Sequence, residues 1–432
     1  MPQHPHTAAR REIIRALVAS EKPDWTPFDW SSLDNDARPF AREVASGVWR
    51  WRSKLDWTLA PLADRPLEKL DAPVRAALRA MLYEHLELRT AAHALGSDYA
   101  ELMRAFKIGS AAGFVNALAR RLPGQWRALP KQRAFRLSVE FAHPLWLVER
   151  TLERLGEDPT RALLHANQQR APLDVRVNEA LVSRDELRAR WAREEFEAAP
   201  TPRSSVGLRL AKSLAPDALP GWNEGLFLAQ DEAAQLVGEA APVPVTGLIV
   251  DCASAPGGKA THLAARAPGA KVLACDSSAS RLRLVEANAR RLRLSNIETR
   301  AGDWPELAPT LAGQADLVLL DAPCSGTGTF RRRPDAKWRK TPESLRELVA
   351  LQRTLLDSAA GAVKVGGALV YSTCSLEPEE NEEQARAFSL RQNGFQSVSV
   401  RENVAEKDGF LHTAPHRTGC DGAFAAVWRR VV

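Results

Sequence analysis

The chain has 432 residues, room for two to four domains at about 100–200 residues each. Hydrophobic residues make up 45% and charged residues 26%, which excludes wholesale disorder. The net charge of +6 is modest, and no apolar run approaches the ~18 residues that span a bilayer, which excludes a helical membrane protein. The first twenty residues lack the apolar core of a secretory signal. A transit peptide is the alternative there, but Glu12 and the spacing of Ile13, Ile14, Leu17 and Val18 favour an ordinary first helix. The five cysteines, Cys252, Cys275, Cys324, Cys374 and Cys420, are odd in number, and no pair reads C-x-x-C. A disulfide scaffold and a structural zinc site are therefore not expected, and a metal-free protein of the reducing cytoplasm is.

Residues 7 to about 128 read as an all-α domain. Apolar residues recur at helical spacing, as in Phe40, Val44, Val48 and Trp51 and in Val74, Ala77, Leu78, Met81 and Leu82. Pro123, Gly124 and Pro130 mark its end. A mixed α+β module follows over 131–225. Leu145–Leu155 reads as a helix begun by Pro144, and Leu173–Asn178 and Val206–Leu210 read as strands. Ser183 with Glu186 three residues on is a capping-box signature. From 226 to 432 strands and helices alternate, with strands expected at 247–252, 271–276, 297–300, 316–321 and 368–372 and a last one over 423–432. Helices are expected at 278–294, 342–363 and 378–390. Such repeated β-α units make a mostly parallel, Rossmann-like sheet, with ligands beyond the carboxyl ends of its strands.

The candidate motifs sit at those strand ends. Asp251-Cys-Ala-Ser-Ala-Pro-Gly-Gly-Lys259 links the first of these strands to its helix, and its small residues let a ligand approach the backbone. Ala253 and Ala260 stand where a phosphate P-loop needs Gly and Ser/Thr, so that reading fails. A dinucleotide fingerprint is matched only loosely. S-adenosylmethionine fits as well, with Asp276 for the ribose hydroxyls and Asp303 near the adenine. A tight strand-to-helix turn that binds nothing is the plain alternative. Asp321-Ala-Pro-Cys324 ends one strand and Tyr371-Ser-Thr-Cys374 ends the next, so adjacent strand ends would bring the two cysteines together. A thiolate there suits addition to an electron-poor ring carbon. Arg331, Arg332, Arg333, Lys337, Arg339 and Lys340 crowd ten residues, opposed only by Asp335. The run is either a solvated surface or a phosphate-contacting loop.

These motifs resemble the RNA cytosine-C5 methyltransferases of the NOL/NOP/Sun group. The resemblance rests on Ala-Pro-Gly-Gly-Lys259, on Asp-Ala-Pro-Cys-Ser-Gly326 followed by Arg-Arg-Arg-Pro-Asp-Ala-Lys-Trp338, and on Ser-Thr-Cys-Ser375 followed by Glu377, Glu380 and Asn381. It also rests on Gln230-Asp231 and Gly419-Cys-Asp-Gly422. The helical region, with Arg42-Glu-Val-Ala-Ser-Gly-Val-Trp49 and Asn116-Ala-Leu-Ala-Arg120, resembles the NusB-type RNA-binding fold. The segments Ala166–Pro172 and Arg176-Val-Asn178 match the family's small pre-catalytic module. Together these cover nearly the whole chain.

The resemblance implies an all-α NusB-like domain at 1–130, a small α+β RNA-binding module at 131–225 and a class I S-adenosylmethionine-dependent methyltransferase domain at 226–432. It implies small-subunit ribosomal RNA as substrate and partner. Cys374 would add to cytosine C6, Asp321 would hold the base edge, Cys324 would assist elimination and Lys259 would organise the site. Ala253, Ser254, Ala255, Pro256, Gly257, Gly258, Lys259, Asp276, Asp303 and Asp321 would bind the cofactor. Arg170, Arg331, Arg332, Arg333, Lys337 and Arg339 would meet RNA. No membrane or metal partner is implied, and a monomer is expected. The chain departs from the family at Ala253, where Cys is frequent, and at Cys420 and Ala423, where Thr and Phe are usual.

DNA cytosine methyltransferases offer a decoy, because Pro323-Cys324 and Glu402-Asn403-Val404 imitate their motifs. The second string lies beyond Cys374 and past the expected fifth strand at 368–372, so it reads as chance. A non-catalytic assembly factor and an NAD(P)-type oxidoreductase are the competing classes, and the helical domain could instead bind protein.

Overall fold

The computed structural model describes residues 6–22, 28–212, 214–400 and 405–432, without the side chains of 405–407. The Glu402-Asn403-Val404 string lies outside the described residues. The chain forms two compact units, residues 1–169 with 332–341 and residues 170–331 with 342–432.

The first unit is helical. Its helices are α1 (Thr7–Ala19), α2 (Ala37–Leu59), α3 (Ala72–Leu86), α4 (Ala92–Ala105), α5 (Ala112–Ala119), α6 (Arg133–Glu140), α7 (Leu145–Leu155) and α8 (Glu157–Gln168). The apolar spacing read from the sequence is the buried stripe. Ile13, Ile14 and Leu17 of α1, Val44 and Val48 of α2, and Val74, Ala77, Leu78, Met81 and Leu82 of α3 share one core. Trp51 leaves helical geometry and kinks α2. Pro144 starts α7 at Leu145. The helices α6–α8 carry a small core of their own around Leu137, Val148 and Leu164.

The second unit opens with a four-stranded antiparallel sheet of β1 (Asp174–Val177), β2 (Ala198–Pro200), β3 (Gly207–Leu210) and β4 (Phe227–Ala229), in the order β2-β3-β1-β4. Helix α9 (Arg184–Arg193) starts at the expected capping box, with both the Ser183 and the Glu186 side-chain bonds formed. Then follow α10 (Glu232–Ala240), β5 (Gly247–Asp251), α11 (Gly258–Arg266), β6 (Ala270–Asp276), α12 (Ala279–Arg291), β7 (Ile297–Ala301), α13 (Trp304–Leu307) and β8 (Ala315–Asp321). The chain continues through α14 (Pro342–Ala362), β9 (Val363–Thr373), α15 (Glu382–Arg391), β10 (Phe395–Val398), β11 (Ala405–Lys407), β12 (Phe410–Thr413), α16 (Pro415–Thr418) and β13 (Ala423–Arg430).

Strands β5 to β9 are parallel to one another in the order β9-β8-β5-β6-β7, and antiparallel β13, β12 and β11 extend the β9 edge. The register aligns Asp251 with Leu319, Asp276 with Ala301 and Asp321 with Ser372, so the candidate site residues share the carboxyl edge. Strand β9 begins five residues before the expected Ala368. A register shift between Ala315 and Leu317 on β8 accommodates this longer strand through Gly366 and Gly367. The short strands β2, β4, β10, β11 and β12 were not legible, because three or four residues carry too little alternation. No helix of the described residues is long and apolar enough to cross a membrane.

Candidate active site

Two loops from neighbouring strands build the centre. After β8, Asp321-Ala-Pro-Cys324 turns outward, and after β9 the chain presents Cys374. The two sulfurs lie 3.3 Å apart. Gly326, at φ +70°, makes the left-handed turn behind Cys324. Gly328 lies against the Cys374 carbonyl, which accepts from its amide at 3.0 Å. A Cβ on Gly328 would meet Gly422 Cα at 2.6 Å, so the Gly419–Gly422 turn and the cysteine loop need glycine at their contact.

A buried polar network holds the pair. Glu380 is fully buried and accepts from the Ser325 amide at 2.8 Å and from Gln352 Nε2 at 2.9 Å. It also accepts from Ser325 Oγ. Gln352 Nε2 donates to the Pro323 carbonyl at 2.8 Å, and Tyr371 OH donates to the Glu380 carbonyl at 2.6 Å. Asn381 accepts from Thr373 Oγ1 at 2.5 Å and donates to the Ser375 carbonyl at 3.0 Å. Glu380 and Asn381 of the string seen in the sequence are thus scaffolding for the two cysteine loops. The spacing was legible in the sequence but this role was not, and the Gln352 and Tyr371 contacts carried no signal.

Beside the sulfurs, Lys259 Nζ donates to Asp321 Oδ2 at 2.6 Å, and Ser372 Oγ donates to Oδ1 at 2.8 Å. Burial works against the Lys259 charge, but Asp321 outweighs it and raises the lysine above its ordinary value; Cys374 lies near enough to add to that rise. The Cys324 thiol is pushed well above the ordinary range by its hydrogen bond with Cys374 and by burial. Cys252, Cys275 and Cys420 are buried and also shifted upward, chiefly by burial, which makes them inert.

The glycine-containing loop after β5 lies at the same edge. Gly257 takes φ +98° at the start of α11, and a Cβ there would lie 3.1 Å from Val285 Cα. Asp276 accepts from the Ala255 amide at 3.1 Å and from the Ser278 amide at 3.0 Å. Arg281 donates to the Ala255 carbonyl at 2.6 Å. Asp303 follows β7 and is exposed. Asp251 is buried at the end of β5; the Ser254 hydroxyl and the Ala253 amide lie near its carboxylate but outside hydrogen-bond geometry. Burial and the charge of Asp321 push Asp251 up to about 7, against the pull of Lys259. Small residues at close approach, buried oxygens outside hydrogen-bond geometry and acids at successive strand ends fit a cationic nucleoside. Among the described residues no cluster of three or more His, Cys, Asp or Glu could hold a metal.

Two cations of the basic run expected to meet RNA, Arg331 and Lys337, are buried. Lys337 is buried, donates to the Arg50 carbonyl at 3.1 Å, and is pushed well below its ordinary value by burial. Trp338 donates to the Trp49 carbonyl at 2.5 Å, which anchors the same turn within the helical unit. Arg331 is buried against Asp421 and donates to the Gly419 carbonyl at 3.0 Å. These two cations hold backbone and carboxylate instead of facing a phosphate row. Arg339 pairs with Asp335 at 2.9 Å, and Arg332 is half-buried. Arg333 and Arg170 are exposed.

Fold and site together define a Rossmann-like methyltransferase domain behind a NusB-type helical domain. The model for the 16S rRNA methyltransferase RsmB/F family matches residues 242–429. An RsmF/B-like ferredoxin-like domain matches 143–216, and the NusB family matches 8–122. The ribosomal RNA small subunit methyltransferase B of Pectobacterium carotovorum subsp. carotovorum strain PC1 is 34% identical over 401 residues, covering 93% of this chain and 92% of the relative. The crystal structure of PH0851 is 25% identical, covers 99% of each chain and superposes with a TM-score of 0.86. NSun6 from Pyrococcus horikoshii with SFG is 20% identical, covers 66% of this chain and 97% of that one, with a TM-score of 0.59, and shows the fold. The chain belongs to the RsmB/F family of 16S rRNA methyltransferases.

Proposed function

We propose that this chain methylates C5 of a cytosine in 16S ribosomal RNA, using S-adenosylmethionine. The observation that carries the reading is the pair of sulfurs 3.3 Å apart beside the Lys259–Asp321 ion pair. When bound, the cofactor supplies an electrophilic methyl group on a sulfonium. Residues Ala253–Lys259 with Asp276, Asp303 and Asp321 would hold it, and SFG bound to the structural neighbour NSun6 is consistent with a ligand of that class.

Cytosine C5 is too weak a nucleophile until a thiolate saturates C6. Cys374, its proton released to solvent, forms the sulfur–C6 bond as a thiolate, and the C5–C6 π electrons shift onto C5, where they bond the incoming methyl group, while Asp321, braced by Lys259 and Ser372, hydrogen-bonds the N3/N4 edge. During attack Cys324 S–H donates to the Cys374 sulfur. Cys324 can then shed its proton to water and accept the one from methylated C5. The C5–H electrons restore the ring double bond, and Cys374 leaves as thiolate.

The helical domain (1–130) and the module at 131–225 would bind RNA, with Arg170, Arg332, Arg333 and Arg339 as the remaining candidates for phosphate contact. The protein would act as a cytoplasmic monomer. The test is incubation of unmodified 16S rRNA with the protein and methyl-labelled cofactor, then nucleoside analysis. Label in 5-methylcytidine supports the reading; label in another nucleoside, or none, overturns it.

A further inference from the structure

Arg176 is a buried guanidinium with no carboxylate paired to it among the described residues. It stands on β1, in the small antiparallel sheet that precedes the methyltransferase fold. Its side chain reaches the start of α11. Nη1 donates to the Gly258 carbonyl at 2.5 Å and to Gln230 Oε1 at 2.6 Å, and Nη2 donates to Thr261 Oγ1 at 2.9 Å. Thr261 Oγ1 in turn donates to the Gly257 carbonyl at 2.7 Å. Both glycine carbonyls of the loop are therefore held from beneath. A buried cation left without a counter-charge is costly, and structure alone would be served as well by an apolar residue of similar size. The guanidinium's fixed fork of donors is suited to gripping several oxygens in one geometry.

We infer that Arg176 is a positioning residue for the cofactor loop, acting through Gly258 to set both the loop backbone and the reach of Lys259 toward Asp321. The antiparallel module is thereby part of the cofactor site as well as a neighbour of it. Asn178, two residues on along β1, is the natural control. Its Nδ2 donates to the Gly225 carbonyl at 3.0 Å and to the Leu292 carbonyl at 2.9 Å, contacts that pin the same strand without touching the loop.

The inference rests on the proposed cofactor reading, so binding and turnover are measured separately. S-adenosylhomocysteine binding by calorimetry, and KM values for cofactor and for RNA, are compared among wild type, Arg176→Met, Arg176→Lys and Asn178→Ala. A displacement of the loop by about an ångström corresponds to a loss of up to about a hundredfold. Arg176→Met is expected to weaken binding and raise KM for the cofactor at least about tenfold, leaving KM for RNA unchanged. Arg176→Lys should recover part of the loss, and should carry the test if the methionine variant does not fold. Asn178→Ala should lower thermal stability while binding stays within about twofold of wild type. Wild-type binding in every Arg176 variant, or equal loss of binding in Asn178→Ala, overturns the inference. Failure of wild type itself to bind overturns the cofactor reading instead.

Discussion

Two buried charge clusters show how differently the units use polar groups. In the helical unit, Arg10 meets Glu84 at 2.5 Å and Asp98 at 2.7 Å, and Tyr99 OH donates to Glu84 at 2.7 Å. Burial works against the Arg10 charge, yet its acidic partners more than offset that and raise it. Charge there is answered within the fold. In the second unit, Asp251 at the carboxyl edge of the large sheet has two oxygens outside hydrogen-bond geometry, and Arg176 on β1 has no counter-ion among the described residues. A complemented cluster specifies packing; an uncomplemented one is retained for something the chain must hold or place.

That contrast can be broken most severely at the complemented cluster. Glu84→Gln leaves Arg10 buried without its main partner, and a loss of about 3–5 kcal/mol is expected in denaturant unfolding. A loss under about 1 kcal/mol would mean the cluster is not complementary in solution. Lys259→Met tests the other side. Methyl transfer should fall by about a hundredfold or more while the folded fraction stays near wild type; a parallel collapse of both would make Lys259 a packing residue.

Asp251→Asn gives the sharpest difference in sign. Its folded value of about 7 lies above the ordinary carboxylate value of about 3.9. The native state therefore binds a proton that the unfolded chain has released, and stability falls as pH rises from about 4 through about 7. The asparagine variant should lack that decline and gain stability near pH 8, on the order of a few kcal/mol. Equal pH slopes for the two proteins would show that Asp251 is solvated or paired. The smallest effect is at the basic run. Arg333→Ala should weaken RNA binding slightly and reduce the salt slope by at most about one unit. Arg331→Ala should instead destabilise the protein by stranding Asp421. The reverse pattern would restore Arg331 to the RNA surface.

Much of this was legible in the sequence. Parallel strands with single-residue ends at Asp251, Asp276 and Asp321 follow from apolar runs closed by acids, and adjacency of β8 and β9 follows from the Cys324 and Cys374 motifs. The capping box at Ser183 and the start of α7 at Pro144 were equally local signals. What sequence could not supply was whether a polar side chain faces out or in. Lys337 and Arg331 look like their exposed neighbours in composition, yet long-range partners, the Arg50 carbonyl and Asp421, take them inside. The Arg176 contact is of the same kind, spanning 82 residues to Gly258.

The mechanism turns on which sulfur attacks. Wild type, Cys324→Ala and Cys374→Ala are each incubated with unmodified 16S rRNA and S-adenosylmethionine, then examined for a denaturant-resistant protein–RNA adduct. An adduct is expected to accumulate in Cys324→Ala, because elimination is impaired, and none is expected in Cys374→Ala. Accumulation in Cys374→Ala with none in Cys324→Ala would contradict this and assign the attack to Cys324.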